Sequence, residues 1–338
     1  MRSDSSYCIR LPFVLQPTRG INGLEQPRSF EVGSYSAELK SQGSGYALTV
    51  KGFPSEHDAA EFIPNMWSGL AHLTAQGSAC SASFAPSKVT RADNPDLAGE
   101  NLRSSLPGLA TLGPVHGIAD AEGPAVYRED EKVIFVGAGN TTFRLGANPD
   151  HVISYLTPGL LAPNASAAFA DPRFHAAVDL YVASCFEQSP TAQLLISAMV
   201  LEVMAPPAQK HAVALALLDQ WDAQLVGQIH EYPAGIEELE ALESLRREVC
   251  FRRDQSIRSR IRGYVARQLA DAGVPSAHDL GERARRAYDV RSTLAHEGRV
   301  DASEAAEALG TLRQVVPAPI RIRLGLAHDL PAAGLGAA

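Results

Sequence analysis

A chain of 338 residues is long enough for two domains, each with a core of its own. With 45% apolar and 20% charged residues it reads as globular rather than disordered, and a formal net charge of -8 gives no overall attraction for nucleic acid. Any polyanion partner would have to be held by a local patch. Cys8, Cys80, Cys185 and Cys250 form no CxxC pair and no histidine cluster accompanies them, so no metal, no other cofactor and no disulfide framework is expected. Asp4 and Arg10 stand where a secretory leader's apolar core should begin, and no apolar run approaches the roughly 20 residues of a membrane span. The expectation is a cytoplasmic protein with no membrane partner.

The first 150 or so residues are rich in Gly, Ser and Pro and contain short β-type runs at Tyr46–Val50, Lys132–Val136 and Thr142–Leu145. Between the first two, Ser55-Glu-His-Asp58 has capping-box spacing, and Phe62, Met66, Leu70 and Leu73 then share one face, which predicts a helix over 55–75. Trp67 at helical spacing reads as core. The stretch Ala85–Glu122, full of Pro, Gly, Asn and Ser, reads as a long irregular excursion, and Gly137-Ala-Gly139 as a hairpin turn rather than a nucleotide-binding fingerprint. Residues 1–160 thus form an α+β domain with a small sheet.

After Pro158 helical periodicity takes over: a helix over 172–188, one opened by Ser189-Pro190, one over 208–230 and two long segments between 236 and 297. The boundary falls near 160–170, an all-α domain occupies 170–326, and 327–338 is a flexible tail. The fold class is therefore α+β overall, a β-rich domain followed by a helical bundle.

The last long helix should begin at Ser276, again with capping-box spacing, and end near Gly298. Leu280, Ala284, Ala287, Arg291 and Leu294 recur at steps of three or four, so Arg291 lies in line with the buried stripe. A guanidinium there needs a carboxylate, an interface or a bound anion. Glu202, likewise on an apolar face with Leu194, Ala198 and Leu201, is the natural candidate to pair with it. Five positions beyond Arg291 comes His296, about 140° around the helix and 7–8 Å along it, so one regular helix does not aim both at the same phosphate. Two copies packed about a two-fold axis would, with the helix end relaxing to turn His296 inward.

A fixed cation and two imidazoles are what metal-free cleavage of an RNA phosphodiester needs. Attack by the 2′-OH on the adjacent phosphorus requires a base at the nucleophile and an acid at the leaving 5′-oxygen. Arg291 would neutralise charge on the non-bridging oxygens, while Ser292 or Thr293 orients the imidazole. The products would be a 2′,3′-cyclic phosphate and a 5′-hydroxyl. Arg323 and His328 repeat the spacing, but in a Gly-interrupted tail after Pro317 and Pro319, and are set aside. The plainer alternative for Arg291 and His296 is a cationic helix C-terminus.

Taken as a unit, Tyr288, Arg291, Ser292, His296 and Gly298 at the end of an all-α half resemble the motif of the HEPN superfamily, most closely its ApeA-like branch known among bacterial anti-phage proteins. The apolar helix Leu194–Met204 with its single Glu202 is similar to one found early in these domains. The resemblance covers about 175–325. It implies a bundle of four or five helices, a homodimer through the motif helix, and endoribonuclease activity in phage defence or stress response, with Arg291 and His296 as the catalytic pair and Ser292, Tyr288 and Glu202 supporting them. Many members carry Asn, Asp or His directly after the arginine, where this chain has Ser292. That departure keeps open the alternative of a non-catalytic nucleotide- or RNA-binding or dimerisation module. The first domain would then sense a trigger or restrain the nuclease.

RNA contact would fall to the dense run Arg246, Arg247, Arg252, Arg253, Arg258, Arg260, Arg262 and Arg267, of which Arg252, Arg253, Arg258, Arg260 and Arg262 are the candidate phosphate ligands. The alternative is a solvated helix face paired with the upstream Glu237, Glu238, Glu240 and Glu243. No aromatic interleaving of these arginines is read, so base stacking of single-stranded RNA is not signalled.

Overall fold

The computed structural model describes residues 6–16, 19–43, 45–105, 111–120, 123–136, 145–233, 235 and 237–326. The fold is α+β: an N-terminal antiparallel sheet followed by helices. Strand β1 (Tyr7–Leu15) sits centrally in a six-stranded sheet. On one side lie β5 (Gly45–Phe53), β4 (Tyr35–Gln42) and β3 (Arg28–Val32), and on the other β6 (Cys80–Ser81) and β9 (Ala125–Arg128). Side chains alternate across such a sheet, and Ile9, Leu11 and Phe13 stand opposite Val50, Leu48 and Tyr46 on the face that forms the core. Short strands complete the domain: β2 (Arg19–Ile21) with β11 (Leu145–Ala147), and β7 (Thr90–Arg91) and β10 (Val133–Val136) flanking β8 (Gly117–Asp120).

The helix expected over 55–75 is two helices, α1 (Glu56–Glu61) and α2 (Ile63–Ala75). Ser55 accepts from the Asp58 amide as expected, but Pro64 has no amide to continue the ladder, and the chain restarts at Phe62 with the proline in the new first turn. The sheet is larger than expected because β1 is buried on both faces and lacks the alternation that marks a strand. The excursion over 85–122 is also more ordered than expected. It holds α3 (Pro95–Ser105) and β8, the former opened by Asn94, whose carboxamide oxygen accepts from the Leu97 amide. Thr142–Arg144, Gly137–Gly139 and the 327–338 tail lie outside the described residues.

Helix α4 (Pro149–Leu160) packs on α2, closing the sheet's core with Val152, Leu156 and Leu160. The opposite face of α2 gives Ala71 and Ala75 to a second, helical core that the chain enters at Ala162 and α5 (Ala165–Phe169). Trp67 packs against both cores, with Phe84, Phe169 and His175 around its ring. The helical core is built by α6 (Pro172–Phe186), α7 (Pro190–Met204), α10 (Ile257–Asp271), α11 (Ala277–Glu297), α12 (Ala302–Val315) and α13 (Pro317–Leu324). Asp171, Ser189, Ser256 and Asp301 cap four of these through their side chains. The region after Pro317, read as a tail, is helical because Pro317 occupies the first turn, where no amide is needed.

Helices α8 (Ala212–Ile229) and α9 (Glu237–Phe251) form a hairpin in which only Leu218 and Val249 are buried. A backbone bridge between Gln209 and Asp254 closes its base. The first of the two segments expected between 236 and 297 is therefore broken. Ser256 turns out of the helix to cap α10, separating it from α9.

Candidate functional site

Glu202 lies in the last turn of α7, and Arg291 lies two-thirds along α11, where the two helices cross the core together. Leu194, Ala198 and Leu201 hold the α7 face inside, while Leu280, Ala284, Ala287 and Leu294 do so for α11. Both charged side chains are largely covered, Arg291 20% exposed and Glu202 23%. Arg291 Nη2 stands 3.2 Å from Glu202 Oε1, so each offsets part of the other's desolvation penalty. The pair lacks full hydrogen-bond geometry: Glu202 Oε1, Arg291 Nε and the neighbouring Arg260 Nε are buried atoms with no hydrogen-bond partner.

Tyr288, one turn before Arg291, is buried, and the Arg291 guanidinium lies 5.6 Å from its ring centroid. Burial raises the phenol pKa above its ordinary value, and the charge of Glu202 raises it further, while Arg291 and Arg260 oppose both. Glu202, Arg291, Tyr288 and Arg260 are thus one electrostatic cluster contributed by α7, α10 and α11. A cleft of about 470 Å³ opens beside it, lined by Pro172, Arg173, Ala176, Glu202, Val203, Ile257 and Arg260. Arg173 is held at its rim by donating to the Val203 and Ala205 carbonyls at the end of α7. No sequence signal marks Arg173, because its role depends on α6 meeting the end of α7.

His296 is not part of this cluster. It is exposed in the last turn of α11, which stays helical through Glu297 because Gly298 adopts the left-handed cap conformation and donates its amide to the Leu294 carbonyl. Within the single chain the helix end is not relaxed and His296 is not turned inward. Neither Ser292, half-buried, nor Thr293, exposed, hydrogen-bonds the imidazole. At the other end Ser276 precedes the helix as expected but makes no side-chain cap bond, because its backbone is not extended.

The arginine run divides. Arg246 pairs with Asp222 at 2.8 Å and Arg253 with Asp219 at 2.6 Å, both on α8, and Arg262 approaches Glu282 of α11 at 3.8 Å. The partners are on other helices, not the upstream glutamates of α9. Arg252 and Arg258 are exposed, and Arg260 faces the cleft. Among the described residues no group of three or more His, Cys, Asp or Glu side chains could hold a metal ion, and no helix is long and apolar enough to cross a membrane. Comparison with family models, curated proteins and solved structures finds no match to the chain.

Proposed function

We propose that the protein is a metal-independent endoribonuclease of the HEPN type, active as a homodimer in the cytoplasm and serving phage defence or stress response. The observation that carries the reading is the half-buried Arg291, held by Glu202 and still 20% exposed, followed on the same helix by a solvent-facing His296. A guanidinium kept in place by one carboxylate with part of its edge open to solvent suits a phosphate oxygen. His296, pointing away from it, is free to meet a second copy. Exposed Cys250 and the other unpaired thiols suit a reducing compartment.

In the dimer one His296 takes the proton of the ribose 2′-OH as its oxygen attacks phosphorus. The other gives a proton to the departing 5′-oxygen, and Arg291 neutralises the charge that grows on the non-bridging oxygens. The bond from phosphorus to the 5′-oxygen breaks, leaving a 2′,3′-cyclic phosphate and a 5′-hydroxyl. Incubation with RNA in EDTA should yield these ends, with at least a hundredfold loss of rate in His296→Ala, in line with the usual worth of a general acid or base. Equal activity in that variant would refute the mechanism.

The Glu202–Arg291 pair itself favours a second reading. A guanidinium already matched to a carboxylate can simply knit α7 to α11, making the domain a non-catalytic RNA-binding, nucleotide-binding or dimerisation module. RNA binding without turnover, unchanged by removing His296, would select it.

A further inference from the structure

An acidic chain must hold RNA locally, and the structure separates the arginines that are occupied from those that are not. Arg246, Arg253 and Arg262 are ion-paired within the fold, whereas Arg247, Arg252, Arg258 and Arg260 enter no ion pair among the described residues. Between Arg247 and Arg252 stands Phe251, 88% exposed at the end of α9, the most exposed of the large apolar side chains described. A ring held out in water forgoes the burial that stabilises aromatic side chains elsewhere. Phe251 lines a concavity of about 430 Å³ with Ser244, Arg247, Glu248 and Arg252, all polar or charged.

The chain continues from this concavity directly to the first site. Five residues after Phe251, Ser256 caps α10, whose first turn brings Ile257 and Arg260 to the cleft lined by Arg173 and Glu202, and Glu202 pairs with Arg291. A planar apolar ring flanked by unpaired guanidinium groups is the chemistry that recognises an unstacked base and its phosphates.

We propose that Phe251, Arg247 and Arg252 form a binding site for single-stranded RNA, the base stacking on Phe251 and the strand leading over Arg260 toward Arg291. The substrate class rests on the ribonuclease reading above, but binding at Phe251 is tested without turnover. Duplex RNA, whose bases already stack on each other, gains nothing from the ring.

The test uses full-length protein carrying His296→Ala, a fluorescent single-stranded oligouridine and a blunt RNA duplex, read by anisotropy across a salt series. Phe251→Ala should weaken single-strand binding about tenfold, leaving duplex binding and the salt slope unchanged, and Phe251→Trp should restore it. Arg252→Ala should reduce the salt slope by about one. Unchanged single-strand affinity in Phe251→Ala overturns the proposal, as does no RNA binding at all. So does a loss of dimer on sedimentation in Phe251→Ala, which would place the ring between copies. If Phe251 governs binding while wild-type protein leaves RNA intact in EDTA, the inference stands and the nuclease reading falls. If cleavage proceeds equally with and without Phe251, the reverse holds.

Discussion

Arg291 and Arg10 are both arginines drawn out of water, and the chain treats them differently. Arg291 meets Glu202, so its charge is offset. Arg10, on β1, is 2% exposed and meets no carboxylate among the described residues: Nη2 donates to Gln42 at 2.5 Å, the Phe135 ring centroid lies 3.8 Å from Cζ, and Nε and Nη1 have no hydrogen-bond partner there. Burial pushes its pKa down to about 10. A base whose folded pKa lies below its unfolded value of about 12.5 carries a stability cost at neutral pH, and that cost is relieved as pH rises through about 10. Arg10→Met, which keeps the stem and discards the charge, is therefore expected to raise the melting temperature at pH 7, with the advantage shrinking above pH 10. A lower melting temperature at pH 7 would contradict this account of Arg10.

The Glu202–Arg291 pair was legible in the sequence because a lone carboxylate on an apolar face and a lone guanidinium on a buried stripe each demand a partner. The split of the arginine run was not. It depends on Asp219 and Asp222 of α8, which a local reading of α9 does not bring near. Phe251 was hidden for a related reason, since one aromatic residue is no periodic signal and its exposure follows from how α9 ends.

At the scale of elements, helices declared themselves through caps and stripes, while the sheet did not. Tyr7–Leu15 is buried on both sides, carries Pro12 within it and shows neither strand alternation nor helical period. Pro64 and Ser256 each divide what periodicity alone joins. Helices α2 and α4 approach closely: a Cβ on Gly159 would lie 2.6 Å from Gly69 Cα and 2.6 Å from the Ser68 carbonyl oxygen. Gly159→Ala should separate the helices and destabilise the protein by about 1–3 kcal/mol. Gly310, inside α12 with nothing within 4 Å of its missing Cβ, should behave oppositely, Gly310→Ala stabilising by about 0.5–1 kcal/mol. Urea unfolding of both variants checks the pair. If Gly159→Ala fails to destabilise, the packing described for α2 and α4 is wrong.

The whole molecule is two cores joined along α2, with the α8–α9 hairpin standing off the helical one and anchored beside the Glu202–Arg291 cluster. Within one copy Arg291 faces inward and His296 outward, so the proposed chemistry needs two. The most direct measurement co-expresses wild-type and His296→Ala chains under different tags in varied ratios, and follows RNA cleavage in EDTA against the wild-type fraction. If each scissile bond needs an imidazole from both copies, activity falls as the square of that fraction. A linear fall would mean that a single chain carries out the reaction, contradicting the two-copy site.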